Sequence, residues 1–200
     1  MKSIAILHEG NDKNSLDAAL IKKLLKNFLG LTEDTIKEQV EFYGMGIKSN
    51  FFKTAHLPYK KLQQYVANGV TKKILFIIDA DDVKNDARYG GFKNTESELN
   101  SIIEHLGLQA ISSVYIMHDP NTEDKTGYVE SFLLSTLSSE RMGCIMQFLI
   151  CCGFELKEGD KSVYQRIFDS KESLAHPFSP YNFDHENYNE LKNKLKALFE

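Results

Sequence analysis

Apolar residues fall into two patterns along this chain: short unbroken runs, and longer stretches with helical spacing. Residues 3–8 ("SIAILH"), Lys73–Ile78 ("KILFII") and Ser113–Met117 ("SVYIM") belong to the first kind. Runs this short, with almost no polar interruption, predict strands buried on both faces of a parallel sheet. Between them the period lengthens. Leu16, Leu20, Leu24 and Phe28, joined by Ile21 and Leu25, form the stripe of a helix that Ser15 can cap and Gly30 can end. Pro58 predicts the opening of a second helix over Tyr59–Asn68, closed by Gly69. A third carries Leu99, Ile102, Ile103 and Leu106, with Thr95 and Glu98 at capping-box spacing.

"IKEQVEFYG" alternates through Ile36, Glu38, Val40 and Phe42 and reads as a half-buried strand near a sheet edge. "GMGIKSNFFKTAH" reads as a loop. Beyond residue 120 the pattern turns helical: a segment over Val129–Cys152 broken near "STLSSE", a shorter helix from Asp160, and a last one after Asp184. That last helix has Tyr188, Leu191, Leu195 and Leu198 as its stripe. Strands alternating with helices predict right-handed βαβ crossovers, a mainly parallel four-stranded sheet and an α/β fold. Chemistry in such a sheet belongs at the carboxyl ends of the strands. With no repeat, low-complexity tail or linker, a single domain over 1–200 is expected.

The formal net charge of −4 supplies no cationic funnel for nucleic acid. It leaves room for a phosphate-bearing substrate, because a bound divalent cation inverts the local field. The N-terminal apolar run is shorter than a signal peptide and no other segment reaches membrane-span length, so a cytoplasmic location without membrane contact is expected. Cys144, Cys151 and Cys152 lie in an apolar stretch and are expected to be buried free thiols; their spacing provides no zinc site.

Two strand exits change the picture: "HEGND" after the first run and "DADDVKND" after the second. If the chain is still extended there, Asp79 and Asp81 project the same way across the small Ala80 and can share one ion, while Asp82 points elsewhere or begins the turn. The plainer alternative is a polar exit built from Asx turns. Neighbouring strand ends lie about 5 Å apart, so Glu9 can reach an ion held by Asp79 and Asp81. Without a cation the three carboxylates would raise one another's pKa. Hard oxygen donors favour Mg²⁺ or Mn²⁺ over zinc.

The order of a strand ending in Glu-Gly and a later strand ending in Asp-x-Asp resembles the Toprim domain of topoisomerases, DnaG-type primases and the OLD and RNase M5 nucleases. "HEGNDKNSL", "FIIDADD" and "GYVESFLL" together are similar to small Toprim-like bacterial and archaeal proteins related in pattern to the OLD nuclease domain. The likeness runs from about Ile4 to Leu134, which implies a Toprim-like three-layer core over 1–134 and a helical embellishment over 135–200. It implies Glu9, Asp79 and Asp81 as catalytic metal ligands, with Glu130 and Asp12 contributing to a second ion. OLD-like sites also imply a lysine beside the transferring phosphoryl group, assigned here to Lys161.

Further candidates have plain readings beside the functional one. Lys84 and Arg88 follow the Asp-x-Asp pair closely enough to touch a phosphate, or are a solvated loop. His8 should face away from the carboxylates, since it alternates with Glu9. His118 and Asp119 end the fourth run, where a general base could stand, or an ordinary strand exit. Lys22, Lys23, Lys26, Lys60, Lys61, Lys72 and Lys73 could be gathered into a basic face by folding, or are solvated helix surface. The leading expectation is Mg²⁺-dependent phosphodiester hydrolysis of DNA or RNA. The alternatives are a non-catalytic metal-dependent nucleotide or nucleic-acid binding module, with a protein partner in repair or defence, and an interaction protein with a vestigial site.

Overall fold

The computed structural model describes residues 2–11, 15–154, 163–164, 174 and 179–200. Four strands, β1 (Ile4–His8), β2 (Val40–Gly44), β3 (Lys73–Asp79) and β4 (Ser112–Met117), form one sheet in the order β2-β1-β3-β4. Every neighbouring pair is parallel, with Leu7 opposite both Tyr43 and Phe76, and Asp79 opposite Met117. The central strands carry the unbroken apolar runs for a physical reason: all of β1 is buried, and so is β3 after Lys73.

The two-residue period of the strands divides the core into two layers. Ile4, Ile6, Leu75, Ile77, Tyr115 and Met117 face one side, packed under α1 (Leu16–Leu29), α2 (Glu33–Gln39), α6 (Val129–Leu134) and α7 (Ser139–Cys151). Ala5, Leu7, Ile74, Phe76, Ile78 and Ile116 face the other, under α3 (Lys48–Phe51), α4 (Leu57–Ala67) and α5 (Phe92–His105). The C-terminal helix α8 (Asn189–Ala197) joins the first layer through Leu191 and Leu195. Tyr188, just before it, sets its ring edge-on to Phe132 of α6 at 5.0 Å. The protein is thus α/β, a four-stranded parallel sheet with helices on both faces, and β2 is an edge strand as expected. Among the described residues no helix is long and apolar enough to cross a membrane.

Helix punctuation follows the sequence at α1, where the Ala18 N–H donates to Ser15 Oγ at 3.3 Å and Gly30 closes in the left-handed region. It departs elsewhere. Residues 36–39 are the end of α2, because Thr32 accepts the Thr35 N–H and Glu33 and Asp34 fill the first turn; β2 begins only at Val40. The glycine-bearing segment after β2 holds the short α3. Thr95 is inside α5 and caps nothing: its hydroxyl donates to the Tyr89 carbonyl at 2.7 Å, and the helix starts at Phe92 after Gly91. Phe28 leaves the α1 stripe and is exposed, with Lys192 over its ring. All three cysteines are free and exposed, since α7 buries Leu149 and turns the thiols outward. The break near "STLSSE" separates α6 from α7 as expected, while the helix from Asp160 lies outside the described residues.

Candidate metal centre

At the carboxyl ends of β1 and β3 the backbone bends sharply. Glu9 leaves β1 and turns its carboxylate across to β3, where Oε2 accepts the Asp79 N–H at 3.3 Å. Gly10 follows because a side chain would not fit: a Cβ there would lie 2.0 Å from the Ser15 Cβ. That close approach brings the start of α1 against the strand exit. Asp17, in the first turn of α1, is buried beside it and accepts hydrogen bonds from the Gly10 N–H and the Ser15 hydroxyl.

The β3 exit differs from the extended path the sequence allowed. β3 ends at Asp79; Ala80 donates its N–H to Met117 O at 2.7 Å, and Asp81 adopts a left-handed conformation with φ of 58°. The Asp81 N–H then donates to Gly127 O at 2.9 Å, tying this corner to the loop before α6. Asp79 and Asp81 are therefore aimed by a turn and not by strand alternation. Asp82 begins that turn, its carboxylate accepting the Lys84 N–H.

Beneath the corner lies a residue the sequence reading passed over. Lys48, the first residue of α3, is buried and places Nζ 3.1 Å from Asp81 Oδ2. The same ammonium donates to the carbonyls of Asp79 and Ala80 at 2.8 and 2.7 Å. Nothing in "GMGIKSNFFKTAH" marks this lysine, because its role depends on chain folding that brings β2 and β3 exits together across β1.

Five carboxylates, those of Glu9, Asp17, Asp79, Asp81 and Glu130, line one open cavity of about 450 Å³. Glu130 arrives from the first turn of α6, where a negative charge also suits the helix dipole. Burial pushes Glu9 up to about 8, aided by the charges of Asp81 and Asp17 and opposed by the Asp79 N–H and Lys48. Asp79 is raised well above the ordinary aspartate range, by burial first and then by Glu9, Asp17, Glu130 and Asp81. Burial raises Asp17 as well.

Asp79 Oδ1 is buried and makes no hydrogen bond among the described residues, although Asp79 is only 8% exposed and lines the cavity. A carboxylate oxygen without a donor, beside four other acids, is chemically suited to a hard cation. Among the described residues no three His, Cys, Asp or Glu side chains are placed so that they could hold a metal ion together.

The structure thus brings together Glu9, Asp79, Asp81 and Glu130 of the sequence candidates and adds Asp17 and Lys48. Asp12 and Lys161 lie outside the described residues. His8 is buried, hydrogen-bonded through Nδ1 to Ser15 Oγ at 3.1 Å, and does not line the cavity. His118 bonds the Ile116 carbonyl and meets Phe92 edge-on, while the Asp119 carboxylate accepts the Asn121 N–H. Lys84 is exposed, and Arg88 lies over the Tyr89 ring; neither lines the cavity. Several lysines considered for a basic face are spread over other contacts: Lys22 and Lys23 over Phe42 and Phe183, Lys26 with Glu33, and Lys73 on the Ala197 carbonyl. Compared with protein-family models, curated proteins and solved structures, the chain matches none.

Proposed function

We propose that this protein is a Toprim-like, Mg²⁺- or Mn²⁺-dependent phosphodiesterase acting on DNA or RNA, with its acid cavity as the site. The observation that carries the reading is Asp79: a nine-tenths buried carboxylate with an undonated oxygen, facing a cavity shared with Glu9, Asp17, Asp81 and Glu130. Two buried acids, Asp17 and Asp79, beside the half-buried Glu9 are costly without a counter-charge. A divalent cation, when bound, would neutralise a phosphate, lower the pKa of its water and stabilise the leaving oxygen.

The chain's own residues would do the rest. Glu9 and Asp79 would hold the ion, with Asp81 presented from its turn and Glu130 from the first turn of α6. Burial keeps Glu9 protonated near neutral pH until a cation displaces that proton, so ion uptake and proton release would be linked at this group. The step from phosphate to nucleic acid rests on the resemblance of the strand-exit motifs.

A second reading is favoured by one contact. The Lys48–Asp81 ion pair already supplies a positive charge at the corner, which fits a metal-dependent nucleotide or nucleic-acid binding module, or a vestigial site. Purified protein incubated with Mn²⁺ and labelled single- and double-stranded DNA and RNA separates these. Cleavage that disappears in Glu9→Gln and Asp79→Asn supports the enzyme; binding without cleavage supports the module; neither ends those two and leaves the vestigial site.

A further inference from the structure

Lys48 is the one described cation that is both buried and paired with a carboxylate of the cavity, and each of its three ammonium protons has an oxygen partner: Asp81 Oδ2, Asp79 O and Ala80 O. That is how a small cation is held. A carboxylate and two main-chain carbonyls surround the charge, at 2.7–3.1 Å. Its position is fixed by the fold: α3 sits directly after the β2 edge strand, and its first residue reaches beneath the β3 exit.

We propose that the Lys48 ammonium is a tethered cation occupying one cation position of the acid pocket, and that it competes with a divalent ion for Asp81. The inference rests on the reading above that the pocket takes such an ion. Two consequences follow from charge and geometry. Without a divalent ion, Lys48 compensates part of the buried acid and holds the left-handed Asp81 turn, so the fold does not depend on metal. With one, the ammonium repels the incoming ion and keeps Asp81 Oδ2 engaged, which tunes the site toward weaker binding. Lys48 is in this sense a positioning and selectivity residue. Asp79 Oδ1, buried and without a donor among the described residues, marks the position left for the exchangeable ion.

The test is a Mn²⁺ titration by calorimetry, paired with thermal unfolding in EDTA and in Mn²⁺, on wild type, Lys48→Met and Lys48→Gln. Lys48→Gln retains a donor for the Asp79 and Ala80 carbonyls, so it serves if Lys48→Met does not fold. Both neutral variants should unfold earlier than wild type in EDTA and gain more from Mn²⁺. Their Mn²⁺ affinity should rise on the order of tenfold, an ordinary size for coupling between two sites; Lys48→Arg should stay near wild type. Unchanged or weaker Mn²⁺ binding in the neutral variants overturns the proposal while leaving the metal reading intact. Binding by the neutral variants alone upholds Lys48 as the competing cation and overturns metal-dependent hydrolysis by the native chain. No binding by any variant overturns both.

Discussion

Glu9 Oε2 accepts the main-chain N–H of Asp79 across 3.3 Å, linking the exits of the two central strands through a side chain. This bond stabilises an ionised Glu9, yet burial and the nearby acids outweigh it and push the group up to about 8. An unfolded glutamate loses its proton near 4.5, so between that value and about 8 the folded chain holds a proton that the unfolded chain has released. Stability from this source is complete below 4.5 and is lost as pH rises through about 8. Asp79, shifted in the same direction, adds to the loss. Thermal unfolding in EDTA should therefore weaken steadily between pH 5 and 8, and Mn²⁺ should flatten the profile. A metal-free profile that rises across this window would contradict the assignment.

Ion binding at the same site should displace those protons. Calorimetric titration with Mn²⁺ at pH 7, repeated in buffers of different ionisation heat, should show release of about one proton per ion bound from Glu9, with any held by Asp79 in addition. No buffer dependence would mean that Glu9 and Asp79 are not the groups engaged.

Asp79 and Asp81 look equivalent in the sequence, but their substitutions should act in opposite directions. Asp79→Asn removes a raised acid and gives Glu9 an amide donor, so the metal-free protein should gain roughly 1 kcal/mol at pH 8. Asp81→Asn leaves the buried Lys48 ammonium without its carboxylate and should cost roughly 3 kcal/mol. Denaturant unfolding of both variants in EDTA checks the signs; equal shifts would refute the Lys48–Asp81 pairing.

How much of this could be read beforehand depends on the range over which each feature is determined. The central strands, α1 and the α6–α7 break were legible because burial on both faces and helical stripes leave local patterns, as in "KILFII" and Leu16–Leu25. The start of β2 was misread because Ile36 and Val40 fit a strand by alternation, whereas the Thr32 cap commits Glu33–Gln39 to a helix. At the site, Glu9, Asp79 and Asp81 stand out as acids at strand exits, and Glu130 through the resemblance of "GYVESFLL". Asp17 carried a weak signal, an acid in a first helical turn, which the dipole explains equally well. Lys48 carried none, since its partners are more than thirty residues away in the chain.

Gly10 should resist substitution even by alanine. The added methyl would fall 2.0 Å from the Ser15 Cβ, forcing α1 away from the β1 exit and moving Asp17 with it. A loss of about 2 kcal/mol in denaturant unfolding is expected, in the range of overpacked sites. Stability equal to wild type would show that α1 does not seat against Gly10.

The exposed thiols offer a separate check on α7. Cys144, Cys151 and Cys152 should all react with an aromatic disulfide reagent in the native protein at a rate close to that in denaturant. Protection of any one in native buffer would show a partner or a packing surface over that helix.

Mn²⁺ titration of wild type beside Asp79→Asn tests the central claim most directly, because Asp79 contributes the buried oxygen that makes no hydrogen bond among the described residues. Saturable binding by wild type that falls at least about tenfold in Asp79→Asn is the predicted result. Identical binding curves for the two proteins, or no binding by wild type, would contradict a working metal centre at the β1 and β3 exits of the native chain.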